Sequence, residues 1–269
     1  MDAQRHAGQT AIVTGAGSGI GRATVLQLAA EGARVIGCDV NAAGLGETQD
    51  LLAAQGLHAE PVTADITVQD DVEAVLGQVG GAPVDLLANV AGIMDHFAPL
   101  DEVTDELWAN VLAVNLNGPM RLTRAVLPGM RERGTGSVVM VASEASLRGG
   151  TAGVAYTASK HALLGLVRHV AYFYGPQGIR CNAVLPGPVA TGIGASAMPV
   201  SQWAMERAVA SMGVMGPIAQ PEAIASVISW LGCAEAGNVN GAVVAAGGGG
   251  AAARGREGQT QPKVLHMFG

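Results

Sequence analysis

Charged and aromatic side chains are scarce in this 269-residue chain: they make up 14% and 3% of it, and lysine occurs only at positions 160 and 263. With a formal net charge of −7 there is no basic stripe to neutralise phosphates, which argues against nucleic-acid binding. The nearest pair of cations, Arg131 and Arg133, reads as an exposed helix end. Cysteine is scarce too. Cys38, Cys181 and Cys233 are far apart, odd in number and without C-x-x-C spacing, so they read as reduced, buried small residues. No apolar run approaches membrane-spanning length and the first residues carry no signal-peptide pattern. The expectation is a soluble, cytoplasmic protein with no membrane and no nucleic-acid partner. So sparse a surface charge also points to a face hidden in an oligomer.

What is abundant is apolar and small: 49% hydrophobic residues and 39 glycines. Short Val/Ile-rich runs alternate with longer Ala/Leu-rich stretches. Strands are expected at 10–14, 33–39, 58–65, 84–90, 136–143, 178–187 and 242–247. Helices are expected from Gly19 to Gly32 and over 45–54, 68–79, 104–133, 152–175 and 222–233. Strands apolar throughout and separated by helices imply a parallel sheet covered on both faces. The fold class is therefore α/β, a doubly wound seven-stranded sheet in a single domain over about 1–250, with ligands at the carboxyl ends of the strands. The stretch 251–269 is a C-terminal extension, glycine-rich at its start and apolar in "VLHMF".

Three local patterns carry chemistry. "TGAGSGIG" (14–21) follows the first strand and opens the first helix, where close-approaching backbone N–H groups favour a pyrophosphate. The spacing is T-G-x-x-x-G-x-G, with Gly15, Gly19 and Gly21; a ligand-free glycine turn is the plain alternative. Asp39 ends the second strand, at the distance expected of a carboxylate that meets the adenine-ribose hydroxyls of NAD. It would repel a 2′-phosphate, and no Arg or Lys stands at 16–18 or 40 to receive one, so NAD is favoured over NADP. An ordinary strand-end turn residue is the alternative. Finally, "AYTASK" (155–160) sets Tyr156 and Lys160 on one helix face. They are either a solvated surface pair or a tuned acid/base pair.

Taken together, these motifs make the chain resemble the short-chain dehydrogenase/reductase family from about Gly8 to Gly248. T-G-x-x-x-G-x-G is Thr14–Gly21, N-N-A-G is "NVAG" from Asn89 to Gly92, and the helix asparagine is Asn115. The serine is Ser143, Y-x-x-x-K is Tyr156–Lys160, and the P-G motif is Pro186–Gly187. The resemblance implies a Rossmann fold and a catalytic set of Asn115, Ser143, Tyr156 and Lys160. It implies cofactor contacts at Gly15, Ser18, Gly19, Ile20, Gly21, Asp39, Asn89, Ala91, Gly92, Tyr156, Lys160, Pro186 and Gly187. By position, Asp65 and Ile66 would meet the adenine, and Val189 and Thr191 the nicotinamide carboxamide. Three departures stand out: Val90 for the second Asn of N-N-A-G, Ala142 where many members have Ser, and Ala246 for the Asp of the closing D-G-G.

A hydride leaves an alcohol carbon only as the hydroxyl proton is removed. Free tyrosine, with a pKa of about 10, is a poor base near neutral pH; lowering it two to three units takes about 3–4 kcal/mol. Lys160, one turn along, would supply positive charge for that task and the oxidised nicotinamide more, and Lys160 would also hold the nicotinamide ribose. Ser143 would bond the substrate oxygen and Asn115 would hold a proton-relaying water, with Tyr156 as the acid in reduction. The leading expectation is hydride transfer between NAD(H) and a secondary alcohol or ketone. A 3-oxoacyl-thioester reductase using NADPH is the alternative, and a non-catalytic dinucleotide-binding sensor the remote one. Asp95, His96 and Asp101 lack ligand spacing, so no metal is expected.

The substrate would sit among 93–97, 144–150 and the segment about 192–215, with Glu144, Asp95 or His96 offering a polar contact. Met198, Trp203, Met205, Met212 and Met215 fit either an apolar substrate surface or core and subunit contacts. Family members commonly pair the two long helices, which implies a homotetramer or homodimer.

Overall fold

The structure is a computed structural model that describes residues 4–194, 201–204, 206–207 and 218–248. Seven strands run in chain order: β1 (Thr10–Thr14), β2 (Arg34–Asp39), β3 (Glu60–Thr63), β4 (Leu86–Asn89), β5 (Gly136–Val141), β6 (Ile179–Pro186) and β7 (Val243–Ala246). They form one parallel sheet in the order β3-β2-β1-β4-β5-β6-β7. Each lies within the expected strand and is shorter at one end or both, except β1, which matches it.

The helices among the described residues are α1 (Gly19–Ala30), α2 (Ala42–Ala53), α3 (Gln69–Val79), α4 (Asp105–Leu112), α5 (Gly118–Arg133), α6 (Val154–Tyr174) and α7 (Pro221–Gly232). Alternate strand residues feed two cores. Ile12, Leu87, Val138 and Met140 pack against α3, α5 and α6 through Val75, Leu122, Met130, Leu163 and Val167. Ala11, Val13, Val139 and Val184 pack against α1, α2 and α7 through Leu28, Leu52, Ile224 and Leu231. Ile224, Ile228 and Leu231, at helical spacing and under 2% exposed, contribute about 1.5–3 kcal/mol each by burial. The order reverses between β1 and β4, and that switch point opens the cleft described below.

The single helix expected over 104–133 is interrupted. A π turn, Ala113–Asn117, separates α4 from α5, and the Gly118 N–H bonds the Ala113 carbonyl. Pro119 supplies the reason: it has no N–H to give the Asn115 carbonyl four residues back. The segment after β6 leaves and returns at one point, because Val189 and Ala219 form a bridge. Met198, Met205, Met212, Met215 and the extension 251–269 lie outside the described residues, while Trp203 is exposed beside Arg207.

All three cysteines are free and buried, and burial pushes the Cys38 and Cys181 thiols up to about 12. No helix among the described residues is long and apolar enough to cross a membrane.

Candidate active site

At the carboxyl ends of β1, β4 and β5 lies a cleft of about 450 Å³. It is lined by every residue of the expected catalytic and cofactor-binding sets except Asn89 and Asn115; Asp95, His96 and Glu144, expected as polar substrate contacts, are not in its lining. Its floor at one end is the glycine loop. Gly15 has φ +71°, a conformation costly for any other residue, and a Cβ on Gly21 would collide with the Gly15 carbonyl oxygen. α1 opens at Ser18 without a side-chain cap bond. Its first N–H groups and positive dipole end therefore favour an anion, as a pyrophosphate requires.

Asp39 stands at the edge of this loop. Its Oδ2 accepts from the Gly17 N–H and its Oδ1 from the Asn41 N–H, both at 2.9 Å. The carboxylate braces the turn, and Asp39 also lines the cleft. Arg22, one turn into α1, is the cation nearest the loop. It donates to the Gly17 and Gly44 carbonyls, to Thr48 Oγ1 at 3.1 Å and to Glu47 at 2.6 Å. Its charge is spent on the loop and on α2, a role that sequence reasoning missed because the partners lie on another helix.

The far end of the cleft is assembled from β5, α6 and the turn after β4. Ser143 follows β5 and Tyr156 and Lys160 lie on α6, with Lys160 only 3% exposed. The Lys160 ammonium donates to the Val141 carbonyl at 2.9 Å and stands 5.4 Å from the Tyr156 ring centroid. Burial pushes the Tyr156 phenol up to about 12; a hydrogen bond from Ser143 opposes this and the Asp95 charge adds to it. Burial also pulls Lys160 down to about 8. Burial is the largest influence on the phenol, and it runs against the lowering expected of Lys160 together with the oxidised nicotinamide.

The two residues outside the lining bond to the elements around the cleft. Asn89 donates to Thr123 Oγ1 and Met140 Sδ, both at 3.3 Å, beneath the cleft. Asn115 Oδ1 accepts from the Ile93 N–H at 2.8 Å and its Nδ2 donates to the Ile93 carbonyl at 2.9 Å, so the side chain clamps the turn after β4. Thr14 Oγ1 holds the same turn through the Val90 and Ala91 N–H groups, both at 2.9 Å. Of the expected polar substrate contacts, Glu144 is buried and paired with Arg148 at 2.7 Å, and Asp95 is fully buried and turned towards α6. Asn110 and Val114, one helical turn apart, add lining that no motif marks. Among the described residues no three His, Cys, Asp or Glu are placed to hold a metal ion.

A helix N-terminus with close backbone approach, and a tyrosine–lysine–serine wall at the other end of one cleft, define an oxidoreductase site built around a dinucleotide. The family model for short chain dehydrogenase matches residues 9–200. Short-chain dehydrogenase/reductase cdmF of Talaromyces verruculosus is 43% identical over 244 residues, covering 87% of this chain and 93% of its own. 3beta-hydroxysteroid dehydrogenase 2 of Eggerthella lenta is 37% identical over 248 residues, 90% of this chain and 95% of its own. The crystal structure of levodione reductase superposes with a TM-score of 0.84 at 32% identity, covering 92% of this chain and 99% of that one. The chain belongs to the short-chain dehydrogenase/reductase family.

Proposed function

We propose that this protein moves a hydride between NAD(H) and a secondary alcohol or ketone, with Tyr156 as the general acid/base. The observation that carries the reading is the cleft itself. Its wall presents Ser143, Tyr156 and Lys160 together, and its other end carries the glycine loop and Asp39. Bound there, the dinucleotide supplies the hydride acceptor or donor and, when oxidised, a positive charge near the phenol. The Tyr156 oxygen takes the substrate hydroxyl proton in oxidation and returns it in reduction. Ser143 bonds the substrate oxygen. Lys160 holds the nicotinamide ribose and favours the phenolate, against the burial that opposes it. Gly15, Ser18, Gly19, Ile20 and Gly21 hold the pyrophosphate, and Asp65 and Ile66 the adenine. Ala91, Gly92, Pro186, Gly187, Val189 and Thr191 close on the nicotinamide half. The proton relay runs through a water on the Asn115 backbone carbonyl, which Pro119 leaves without an α-helical donor; the Asn115 side chain braces the turn and ties it to α6 through Ser159 Oγ at 3.2 Å.

Asp39 favours NAD, because its anchored carboxylate would oppose a 2′-phosphate and Arg22 is committed elsewhere. The substrate is mainly apolar: Val114, Ile93 and Ile193 line the cleft beside the reacting wall. The hydroxysteroid named for one relative fits that character. The protein works in the cytoplasm as a homotetramer or homodimer through α5 and α6, where Tyr172 is 78% and Phe173 58% exposed. Titration with both nucleotides tests the cofactor; tighter binding of NADPH than NADH overturns it. An alcohol and ketone panel with Tyr156→Phe as control tests the chemistry, and sedimentation tests the assembly.

A further inference from the structure

The turn from Ile93 to Ala98 joins β4 to α4, yet its polar atoms point at α6. Asp95 is fully buried. Its Oδ1 accepts from the Gly153 N–H at 3.0 Å and its Oδ2 from the Tyr156 N–H at 2.8 Å, across 58 and 61 residues of chain. The Ala98 carbonyl takes the intervening Val154 N–H at 2.9 Å. These are first-turn donors of a 21-residue helix whose own N-cap, Gly153, has no side chain to give.

We propose that Asp95 is the positioning residue of Tyr156: a remote helix cap that fixes the first turn of α6, and with it the place of the phenol in the cleft.

Three observations converge on this. A buried carboxylate is costly without compensation. No ion pair to Asp95 occurs among the described residues, so backbone N–H groups and the positive end of α6 carry the compensation. Burial raises the Asp95 carboxyl, and the N–H groups of Tyr156, Gly153, Asp95 itself and Phe97 oppose that rise. Second, the contact leaves no slack. A Cβ on Gly153 would lie 2.5 Å from Asp95 Oδ2 and from the Ala98 nitrogen. Third, the turn is strained to make the contact. His96 and Phe97 have φ of +55° and +54°, a region that is costly for non-glycine residues. Such strain persists only where surrounding contacts over-determine it. Here Asn115 clamps Ile93 at the start of the turn, and α6 holds Asp95 and Ala98 at its end. Asn115, the turn and Tyr156 therefore move as one body.

The proposal rests on Tyr156 being the acid/base, and its test separates the two. Asp95→Ala, Asp95→Asn and Gly153→Ala are compared with wild type and Tyr156→Phe. The readouts are kcat with NAD on cyclohexanol, menthol and a hydroxysteroid, the Kd for NADH, and amide exchange of residues 151–160. Asp95→Ala is expected to lose about 100-fold in kcat, because a misplaced reacting group costs that much, while Asp95→Asn recovers part of it. NADH affinity stays within about two-fold, and the Gly153–Tyr156 amides exchange about tenfold faster as their bonds open. Gly153→Ala, which wedges the turn off the helix with Asp95 intact, should share the kcat loss. The proposal is overturned if kcat in both Asp95 variants stays within two-fold of wild type. It is equally overturned if kcat and NADH affinity fall together, or if the amides exchange as in wild type. An active Tyr156→Phe would sink the acid/base reading instead, and the exchange data would still decide the anchoring.

Discussion

At the glycine-loop end the cleft is walled by one stretch, Gly15–Gly21, with the carboxylates of Asp39 and Asp65 beside it. At the tyrosine end it is walled by side chains brought from β5 and α6 and held by the turn after β4. On the proposed reading the first end binds by shape and dipole, which glycines in the right places can supply. The second depends on burial: Tyr156 and Lys160 are held at proton affinities far from those of free side chains. Errors at the first end should appear as weaker cofactor binding, and errors at the second as slower chemistry.

The largest separation is expected from Tyr156→Phe. It should lower kcat by about 10²–10⁴-fold, the range for a positioned acid/base, while NADH affinity stays near wild type. Stopped-flow turnover together with fluorescence titration reads both quantities. At the other end, Gly21→Ala forces a Cβ onto the Gly15 carbonyl and should cost about 2–4 kcal/mol in stability or cofactor binding. Chemical denaturation with and without NADH distinguishes the two.

Lys160→Met sharpens the contrast from the stability side. The Lys160 pKa is lowered in the fold, so burying its charge is a penalty present below about pH 8. That penalty fades as the pH rises towards the unfolded value of about 10.4. The variant should be more stable by about 1–3 kcal/mol at pH 7, with the gain shrinking between pH 8 and 10, and inactive throughout. A stability gain that grew with pH would contradict the buried-charge account. The smallest effect is expected from Asp39→Ala, about tenfold weaker discrimination for NADH over NADPH, because each oxygen gives up one hydrogen bond or one repulsion.

The same contrast explains what was legible in the sequence. Gly15, Gly19, Gly21 and Asp39 could be read directly, because a strand–loop–helix passage fixes their relations within 25 residues of chain. Tyr156 and Lys160 were legible as a pair because four residues is one helical turn. Seven strands and their alternation with helices followed from apolar runs. The order β3-β2-β1-β4-β5-β6-β7 emerges only when the parallel ladders are formed. Asp95 looked like a polar substrate contact, since its partners at 153 and 156 are distant in sequence. The Asn115 side chain also clamps the turn after β4 to α6, through partners at 93 and 159 that no local pattern marks. The effect of Pro119 on the helix before it needed the position of the π turn. The burial that sets the phenol's proton affinity is a property of the assembled core, and no local pattern records it.

The division of the cleft into a binding end and a chemical end is tested most directly by one paired measurement. This is kcat at saturating NAD and alcohol beside the Kd for NADH, taken in Tyr156→Phe and in Asp39→Ala. The account predicts that the first variant loses turnover and keeps its affinity, while the second keeps turnover and loses its preference for NADH. A Tyr156→Phe protein that turns over at the wild-type rate, or an Asp39→Ala protein whose kcat collapses with its nucleotide preference intact, would contradict it.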